Sequence, residues 1–191
     1  MIQVDGKMIP VDGKVMEAIA PRFTGPRAEN QAQVIAGIGP ILADTLAKYD
    51  INSKLRIAHF LAQTCHESAG FSTLVERASG TQYESRSDLG NGQPGDGVRY
   101  KGRGLLFLTG RANYREYGKA LKIDLEAEPE RAAEPEVALK TACEYWKRRK
   151  LNEAADSDDV VRVTKKINGG LSGLSDRDSL LIKAKEALEK L

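Results

Sequence analysis

The chain has 191 residues, of which 41% are hydrophobic and 29% are charged, a balance that is ordinary for one globular domain with a real core. Its 29 basic and 27 acidic side chains give a net charge of only +2, which argues against nucleic-acid binding, because such proteins concentrate basic charge on one face. No run approaches the ~18 apolar residues of a membrane span, and the first residues lack the basic and apolar regions of a signal peptide. We therefore expect synthesis in the cytoplasm.

The first 27 residues contain the tetrapeptide VDGK twice, at residues 4–7 and 11–14. Asp-Gly pairs favour tight turns, so the repeat predicts two short extended pieces within an extended N-terminal segment over residues 1–27. A helical spacing of apolar residues begins near residue 28, and the glycines and proline of residues 37–40 predict an interruption of that helix. We expect residues 28–191 to form the helical core of a single domain.

The next predicted helix covers residues 54–69. Its apolar stripe lies on one side, and Glu67 falls on the opposite side together with Gln63 and Phe60. A glutamate opposite the core stripe normally faces water. The neighbouring aromatic and amide side chains favour a different interpretation, in which this side of the helix is the wall of a cleft.

Residues 77–100 are rich in Gly, Ser, Asp and Asn, which predicts a long loop, and long loops in compact domains often carry function. Later helices are expected over residues 135–150, 157–167 and 175–190. No long alternating pattern that would indicate a strand is found. The predicted fold class is therefore mainly α, with at most a short β-hairpin.

The histidines and cysteines lack the spacing of metal ligands. The pair His66-Glu67 has no second histidine three residues on, and the other histidine, His59, lies seven residues earlier. Cys65 and Cys143 are far apart, and each is expected to be a buried reduced thiol. We predict no metal and no cofactor.

Two clusters of basic residues stand out, KRRK at residues 147–150 and KK at residues 165–166. The simpler interpretation is that each is a solvated helix end, and the alternative is a binding surface. A mildly cationic surface would be attracted to an anionic polymer.

Four segments carry the chemistry of the chain: residues 60–71 (FLAQTCHESAGF), 100–104 (YKGRG), 108–114 (LTGRANY) and 167–170 (INGG) followed by Asp176-Arg177. In this order they resemble glycoside hydrolase family 19, which contains plant and bacterial chitinases and a phage branch of endolysins. The strings are most similar to those of the phage branch, and the resemblance covers about residues 55–180. It implies a lysozyme-like, two-lobed helical fold with the active-site cleft between the lobes, and hence a single catalytic domain.

The resemblance also implies roles for the polar residues of these segments. Glu67 would be the general acid, which gives a proton to the leaving oxygen of a glycosidic bond. The base is expected to be Glu76, with Glu84 as its rival, and Thr109 would hold the attacking water. The remaining positions are expected to bind substrate: Gln63, Tyr100, Asn113, Tyr114, Asn168 and Arg177.

Some of these positions allow a second interpretation. Tyr114 is equally well explained as a core residue, Arg177 matches the family's arginine that supports the catalytic carboxylates, and Arg103 is expected to be structural. The chain also departs from the family pattern. Phe107 stands where a glutamine is usual, and Ser172 stands where many plant chitinases have an acidic residue, which favours the endolysin branch.

Together these features predict an endolysin with lysozyme (muramidase) activity, an inverting endo-glycosidase that hydrolyses peptidoglycan between N-acetylmuramic acid and N-acetylglucosamine. The alternatives are a chitinase of the same family, a lytic transglycosylase, and a non-catalytic glycan-binding protein, although intact Glu67, Thr109 and Arg177 argue against the last. The expected partners are peptidoglycan and, indirectly, a holin-type protein that releases the enzyme from the host cytoplasm to the periplasm and cell wall. A monomer without affinity for nucleic acid is expected.

Overall fold

The computed structural model describes residues 1–191 and contains nine α-helices and one two-stranded sheet. Strands β1 (Ile2–Val4) and β2 (Lys7–Ile9) form an antiparallel hairpin, in which Asp5 and Gly6 both have positive φ, as a tight hairpin turn requires. This confirms the fold class predicted from the sequence, mainly α with at most a short β-hairpin.

The second VDGK repeat is not a turn, and here the predicted extended segment over residues 1–27 is wrong. Asp12 accepts a hydrogen bond from the amide of Lys14 and caps helix α1 (Gly13–Ile19). An Asp-Gly pair favours both turns and helix starts, and the buried apolar residues that follow it select the helix.

Helix α2 (Gly25–Lys48) is continuous through Pro40, so the interruption predicted at residues 37–40 is also wrong. The glycines there serve packing. A Cβ on Gly37 would lie 2.6 Å from a side-chain atom of Pro135, and one on Gly39 would lie 2.7 Å from the backbone of Gly13. They let α2 approach the starts of two other helices.

Helix α3 (Lys54–Glu67) is the central helix of the larger core. Its residues 57–65 are all buried, so the helix is covered on every side and packs along the C-terminal helix. The expected cleft wall is therefore wrong for Phe60 and Gln63, which have no exposed surface. At the end of the helix the last two residues, His66 and Glu67, are partly exposed.

The predicted loop over residues 77–100 contains two short 3-10 turns (Thr81–Tyr83 and Ser87–Leu89) and α4 (Asp96–Arg99). A further 3-10 turn spans Pro129–Ala133. The remaining helices are α5 (Arg111–Leu121), α6 (Pro135–Arg148), α7 (Leu151–Asp156), α8 (Val160–Asn168) and α9 (Leu174–Glu189).

Buried side chains form two separate clusters. The larger is made mainly by the N-terminal hairpin and by helices α1 to α3 and α6 to α9. The smaller lies around α5 and the loops on either side of it, and consists of Tyr100, Leu108, Tyr114, Tyr117, Leu125, Ala132 and Val137. Both cysteines are buried and unpaired, and burial raises the pKa of Cys65 to about 12. None of the helices is long and apolar enough to cross a bilayer.

Candidate active site

Glu67 ends α3 and is held by a buried arginine. Arg177, in the first turn of α9, donates from Nη2 to Oε1 of Glu67, from Nη1 to Oε1 of Gln63, and from Nε to the backbone carbonyl of Ser172. Gln63 donates in turn to the hydroxyl of Thr164 on α8. A chain of buried hydrogen bonds thus fixes Oε1 of Glu67, while Oε2 accepts no hydrogen bond from the protein.

The chain reverses direction immediately after Glu67. Ala69, Gly70 and Phe71 all have positive φ, and a Cβ on Gly70 would lie 2.8 Å from a ring atom of Pro21. Positive φ is unfavourable for Ala and Phe, so the turn needs support from its surroundings. Gln31 supplies part of it, because its amide donates to the carbonyl oxygen of Gly70.

Three short segments beyond this turn are joined by antiparallel bridges, Val75 with Arg103 and Arg103 with Leu108. They place Glu76 beside Gly102, whose amide donates to Oε1 of Glu76 at 2.8 Å. Thr109 follows the last bridge, and its hydroxyl donates to the carbonyl of Phe107.

Glu76 and Thr109 both pack closely against Gly102. A Cβ built on Gly102 would lie 3.2 Å from the carboxyl carbon of Glu76 and 3.3 Å from the hydroxyl oxygen of Thr109. Because position 102 is a glycine, a carboxylate and a hydroxyl can both approach its backbone, and this brings them near each other. These are the two groups that could orient a water molecule for attack.

Tyr83 is a member of this site that the sequence did not indicate. Its hydroxyl donates to Oε2 of Glu76 at 2.9 Å, so both oxygens of that carboxylate accept a hydrogen bond. Burial, together with the bond to Glu76, raises the pKa of Tyr83. Its only signal in the sequence was its place in the Gly- and Ser-rich loop.

Glu84, the rival base, is bound differently. It is exposed, and its carboxylate accepts from the amides of Gly95 at 2.7 Å and Gly97 at 2.8 Å. It therefore anchors the glycine-rich loop and lies against backbone rather than beside Thr109. The geometry favours Glu76 as the base, and this assignment remains a prediction.

Four of the predicted sugar contacts, Gln63, Tyr100, Tyr114 and Arg177, are buried, and for them direct contact with substrate is wrong. Gln63 lies behind Glu67, bonded to Arg177 and Thr164. Tyr100 and Tyr114 belong to the smaller core, with exposures of 1% and 0%, because their rings pack against each other and their hydroxyls donate to backbone carbonyls.

The two predicted asparagines lie at the surface. Asn113, in the first turn of α5, donates to the carbonyl of Thr109, and Asn168 ends α8 beside the Gly169-Gly170 turn. Arg103 is buried and donates to a backbone carbonyl and to the Tyr114 hydroxyl, which confirms its structural role.

No group of three or more His, Cys, Asp or Glu side chains is arranged to hold a metal ion. The prediction that the chemistry needs no metal remains a prediction. The site offers one carboxyl group fixed by an arginine, and a second carboxylate that lies near a hydroxyl beside Gly102. That inventory suits acid and base catalysis.

Comparisons with known proteins agree with this inventory. The family model described as chitinase class I matches residues 31–169. A Haemophilus influenzae protein named as containing a glycosyl hydrolase family 19 domain is 32% identical over 177 residues, covering 76% of this chain and 86% of that protein. An Arabidopsis thaliana endochitinase is 37% identical over 119 residues, covering 62% of this chain and 41% of its own length.

Solved structures match over most of the chain. Chitinase C from Streptomyces griseus superposes with a TM-score of 0.67 at 22% identity, covering 94% of this chain and 76% of that one. The class IV chitinase of Zea mays gives 0.66 at 19% identity, with coverages of 94% and 90%. At these identities the likeness concerns the fold alone. The chain spans only about two fifths of the plant endochitinases that it matches in sequence.

Proposed function

Because this chain belongs to glycoside hydrolase family 19, we propose that it is an inverting endo-glycosidase that cleaves the glycan strands of bacterial peptidoglycan. Membership of the family makes the chain a glycoside hydrolase, and the proposal concerns its polymer and its biological role. The bond that we propose lies between N-acetylmuramic acid and N-acetylglucosamine.

The proposed reaction is a single displacement, with Glu67 and Glu76 in the roles that the family resemblance implies. Glu67 donates the proton on its free oxygen to the glycosidic oxygen, and the bond from that oxygen to the anomeric carbon breaks. A water molecule held by Thr109 attacks the anomeric carbon from the opposite face and loses a proton to Glu76. Glu67 ends ionised and Glu76 protonated, and exchange with solvent restores both. The anomeric configuration is inverted because a single displacement occurs.

One observation carries the choice of polymer. Arg177 bonds to one carboxylate only, that of Glu67, and its other partners are the neutral amide of Gln63 and the carbonyl of Ser172. Many plant chitinases of the family have an acidic residue at the position of Ser172. The neutral set of partners therefore favours the endolysin branch over the plant enzymes.

Chitin is the second candidate. The plant relatives named as endochitinases share 31–38% identity with this chain over 113–120 residues. Both polymers contain N-acetylglucosamine, so the same catalytic groups suit either of them.

Digestion of purified peptidoglycan and of chitohexaose in parallel tests the proposal. We expect mass spectrometry to show peptidoglycan fragments with reducing N-acetylmuramic acid ends, and little product from chitohexaose. A preference for chitohexaose would make the protein a chitinase, and 1,6-anhydro ends would indicate a lytic transglycosylase. Binding to peptidoglycan without any fragments would support a glycan-binding protein. The Glu67→Gln variant is the control for contaminating hydrolases.

The proposed role is lysis of a bacterial host from within. We propose that the enzyme stays harmless in the cytoplasm until a holin-type protein permeabilises the membrane. Expression of the chain alone should leave cells intact, whereas co-expression with a pore-forming membrane protein should cause rapid loss of turbidity. The Glu67→Gln variant with the same pore should not lyse cells, and lysis by that variant would contradict the role.

A further inference from the structure

Helices α6 and α8 end next to each other, and their ends carry a group of cations that the catalytic chemistry does not use. Two reciprocal hydrogen bonds join them: Arg149 donates to the carbonyl of Lys166, and Lys166 donates to the carbonyl of Arg149, both at 3.0 Å. We define the cationic patch as the basic residues of these two ends except Arg148, which is paired with Glu144. The patch residues are Lys147, Arg149, Lys150, Lys165 and Lys166.

Capping of helix ends explains only part of this patch. Cations near a helix C-terminus stabilise its free carbonyls, and Arg149 and Lys166 do so here. Lys147, Lys150 and Lys165 are exposed and form no ion pair. By contrast Arg148, which is not in the patch, is neutralised by Glu144 at 2.7 Å.

The patch shares helix α8 with the hydrogen-bond chain that holds Glu67. Thr164, which immediately precedes Lys165, accepts the hydrogen bond of Gln63, and Gln63 accepts from the Arg177 that holds Glu67. On the other side, the guanidinium of Arg149 lies 4.8 Å from the centre of the Tyr145 ring.

The hydroxyl of Tyr145 donates to the carbonyls of Lys166 and Ile167. Burial raises the pKa of Tyr145. Asn168, a predicted sugar contact, follows Ile167 directly and ends the helix that carries Lys165 and Lys166.

We propose that the cationic patch binds the carboxylates of the stem peptides that project from peptidoglycan strands. This inference rests on the proposed function and extends it, because it identifies a surface that would distinguish peptidoglycan from chitin. Chitin is uncharged and offers such cations no partner, whereas every stem peptide carries carboxylates. The Debye length is about 8 Å at physiological ionic strength, so cations beside the cleft attract a bound strand without direct contact with its sugars.

Binding should be measured in a Glu67→Gln background, so that the result does not depend on cleavage. The patch variant carries Lys147→Gln, Lys150→Asn and Lys165→Gln, with asparagine at 150 because φ there is 51°. The matched control carries Lys14→Gln, Lys183→Gln and Lys190→Gln. These three cations form no ion pair and line a cavity between α1 and the end of α9. Both variants lose the same charge.

Co-sedimentation with intact peptidoglycan, and with strands stripped of their peptides by an amidase, gives the readout. We expect the patch variant to bind intact peptidoglycan about tenfold more weakly than the control variant and with a flatter salt dependence. The preference for intact over stripped strands should fall by a similar factor. Thermal melts should be unchanged within error, because all substituted side chains are exposed.

Equal binding by the patch and control variants would overturn the proposal. An equal loss on intact and stripped strands would also overturn it, since the patch would then contact sugar rather than carboxylates. So would a patch-dependent affinity for DNA without any effect on peptidoglycan. If the active enzyme cleaves no peptidoglycan while the binding difference is present, the proposed function fails and the patch assignment stands.

Discussion

Arg177 donates to Glu67 from a side chain that is 2% exposed, whereas the carboxylate that accepts is 22% exposed. The arginine is thus part of the interior, and the glutamate that it binds is partly exposed to solvent. Removing the glutamate leaves a buried guanidinium with one acceptor fewer, and this is unfavourable. Glu67, the proposed acid, should therefore also contribute to stability, which a fully exposed glutamate would not.

Replacing Glu67 should separate these two contributions. Glu67→Gln keeps an acceptor oxygen for Arg177 but cannot donate a catalytic proton, so we expect a rate loss on the order of 10²–10⁴ with little change in melting temperature. Glu67→Ala should lose activity equally and should also be destabilised by about 1–3 kcal/mol. Chemical denaturation and initial rates measure both effects. Equal stability of the two variants would mean that Arg177 does not depend on Glu67.

Replacing Glu76 and Thr109 should show which of them activates water. If Glu76 is the base, Glu76→Gln should lose on the order of 10²–10⁴ in kcat, and Thr109→Val should lose less. If the hydroxyl dominates, the order should reverse. Glu84→Gln is the matched control and should keep its activity, because the Glu84 carboxylate accepts from two loop amides and does not lie beside Thr109.

The same enzyme preparations allow a test of stereochemistry. A water-activating Glu76 requires inversion of the anomeric carbon, which NMR at early time points detects before mutarotation. Retained configuration would require a nucleophile close to Glu67 and would remove Glu76 from the role of base.

Sequence patterns predicted α3, α6, α8 and α9 to within three residues, and the segments that carry Glu67, Glu76 and Thr109. They could not predict that Gln63, Tyr100 and Tyr114 are buried. Each has a polar group that forms a hydrogen bond inside the protein with a residue distant in the sequence. Gln63 donates to the Thr164 hydroxyl, Tyr100 to the backbone carbonyl of Glu126, and Tyr114 to the backbone carbonyl of Lys101.

The prediction for the N-terminal region was wrong for a local reason. Asp12 is compatible with either a turn or a helix cap, and tertiary packing of the residues after it decides between them. In the same way, the close approach of Pro135 and Gly13 to α2 explains two glycines that otherwise indicate a break.

A buried histidine should make stability depend on pH. His59 has no exposed surface; its Nε2 lies 2.9 Å from Asp158, and its Nδ1 has no partner. Burial lowers the pKa of His59 below 6.5, against the opposing effect of Asp158. The unfolded chain therefore binds this proton more readily, and stability that is complete above pH 6.5 should fall as the pH drops below it.

Urea denaturation between pH 7.5 and pH 5 measures this effect. One proton accounts for at most about 1.4 kcal/mol per pH unit, and His59→Gln should reduce the slope although it lowers stability at every pH. The pKa of Asp158 is lowered from 3.8, so its own titration falls outside this range. An unchanged slope would mean that another group is responsible.

The last prediction concerns Gly102, against which Glu76 and Thr109 pack. Gly102 is not among the residues with positive φ, so alanine fits its backbone conformation. The added methyl group would lie 3.0 Å from Cβ of Phe107, 3.2 Å from the Glu76 carboxyl carbon and 3.3 Å from the Thr109 hydroxyl oxygen. These contacts are tight but can be relieved by shifts of a few tenths of an ångström. We therefore expect Gly102→Ala to fold with a stability loss of about 1 kcal/mol.

Its activity should also fall. The added methyl group would push the Glu76 carboxylate and the Thr109 hydroxyl out of place by a few tenths of an ångström. Because a displacement of about 1 Å at a reacting group costs on the order of 10² in rate, we expect a loss of about tenfold. The loss should appear in kcat with little change in KM, because no sugar contact is removed. Gly92→Ala is the control, since a Cβ there meets no atom within 4 Å. If Gly102→Ala retains full kcat, the water is held elsewhere and the pairing of Glu76 with Thr109 is not the catalytic one.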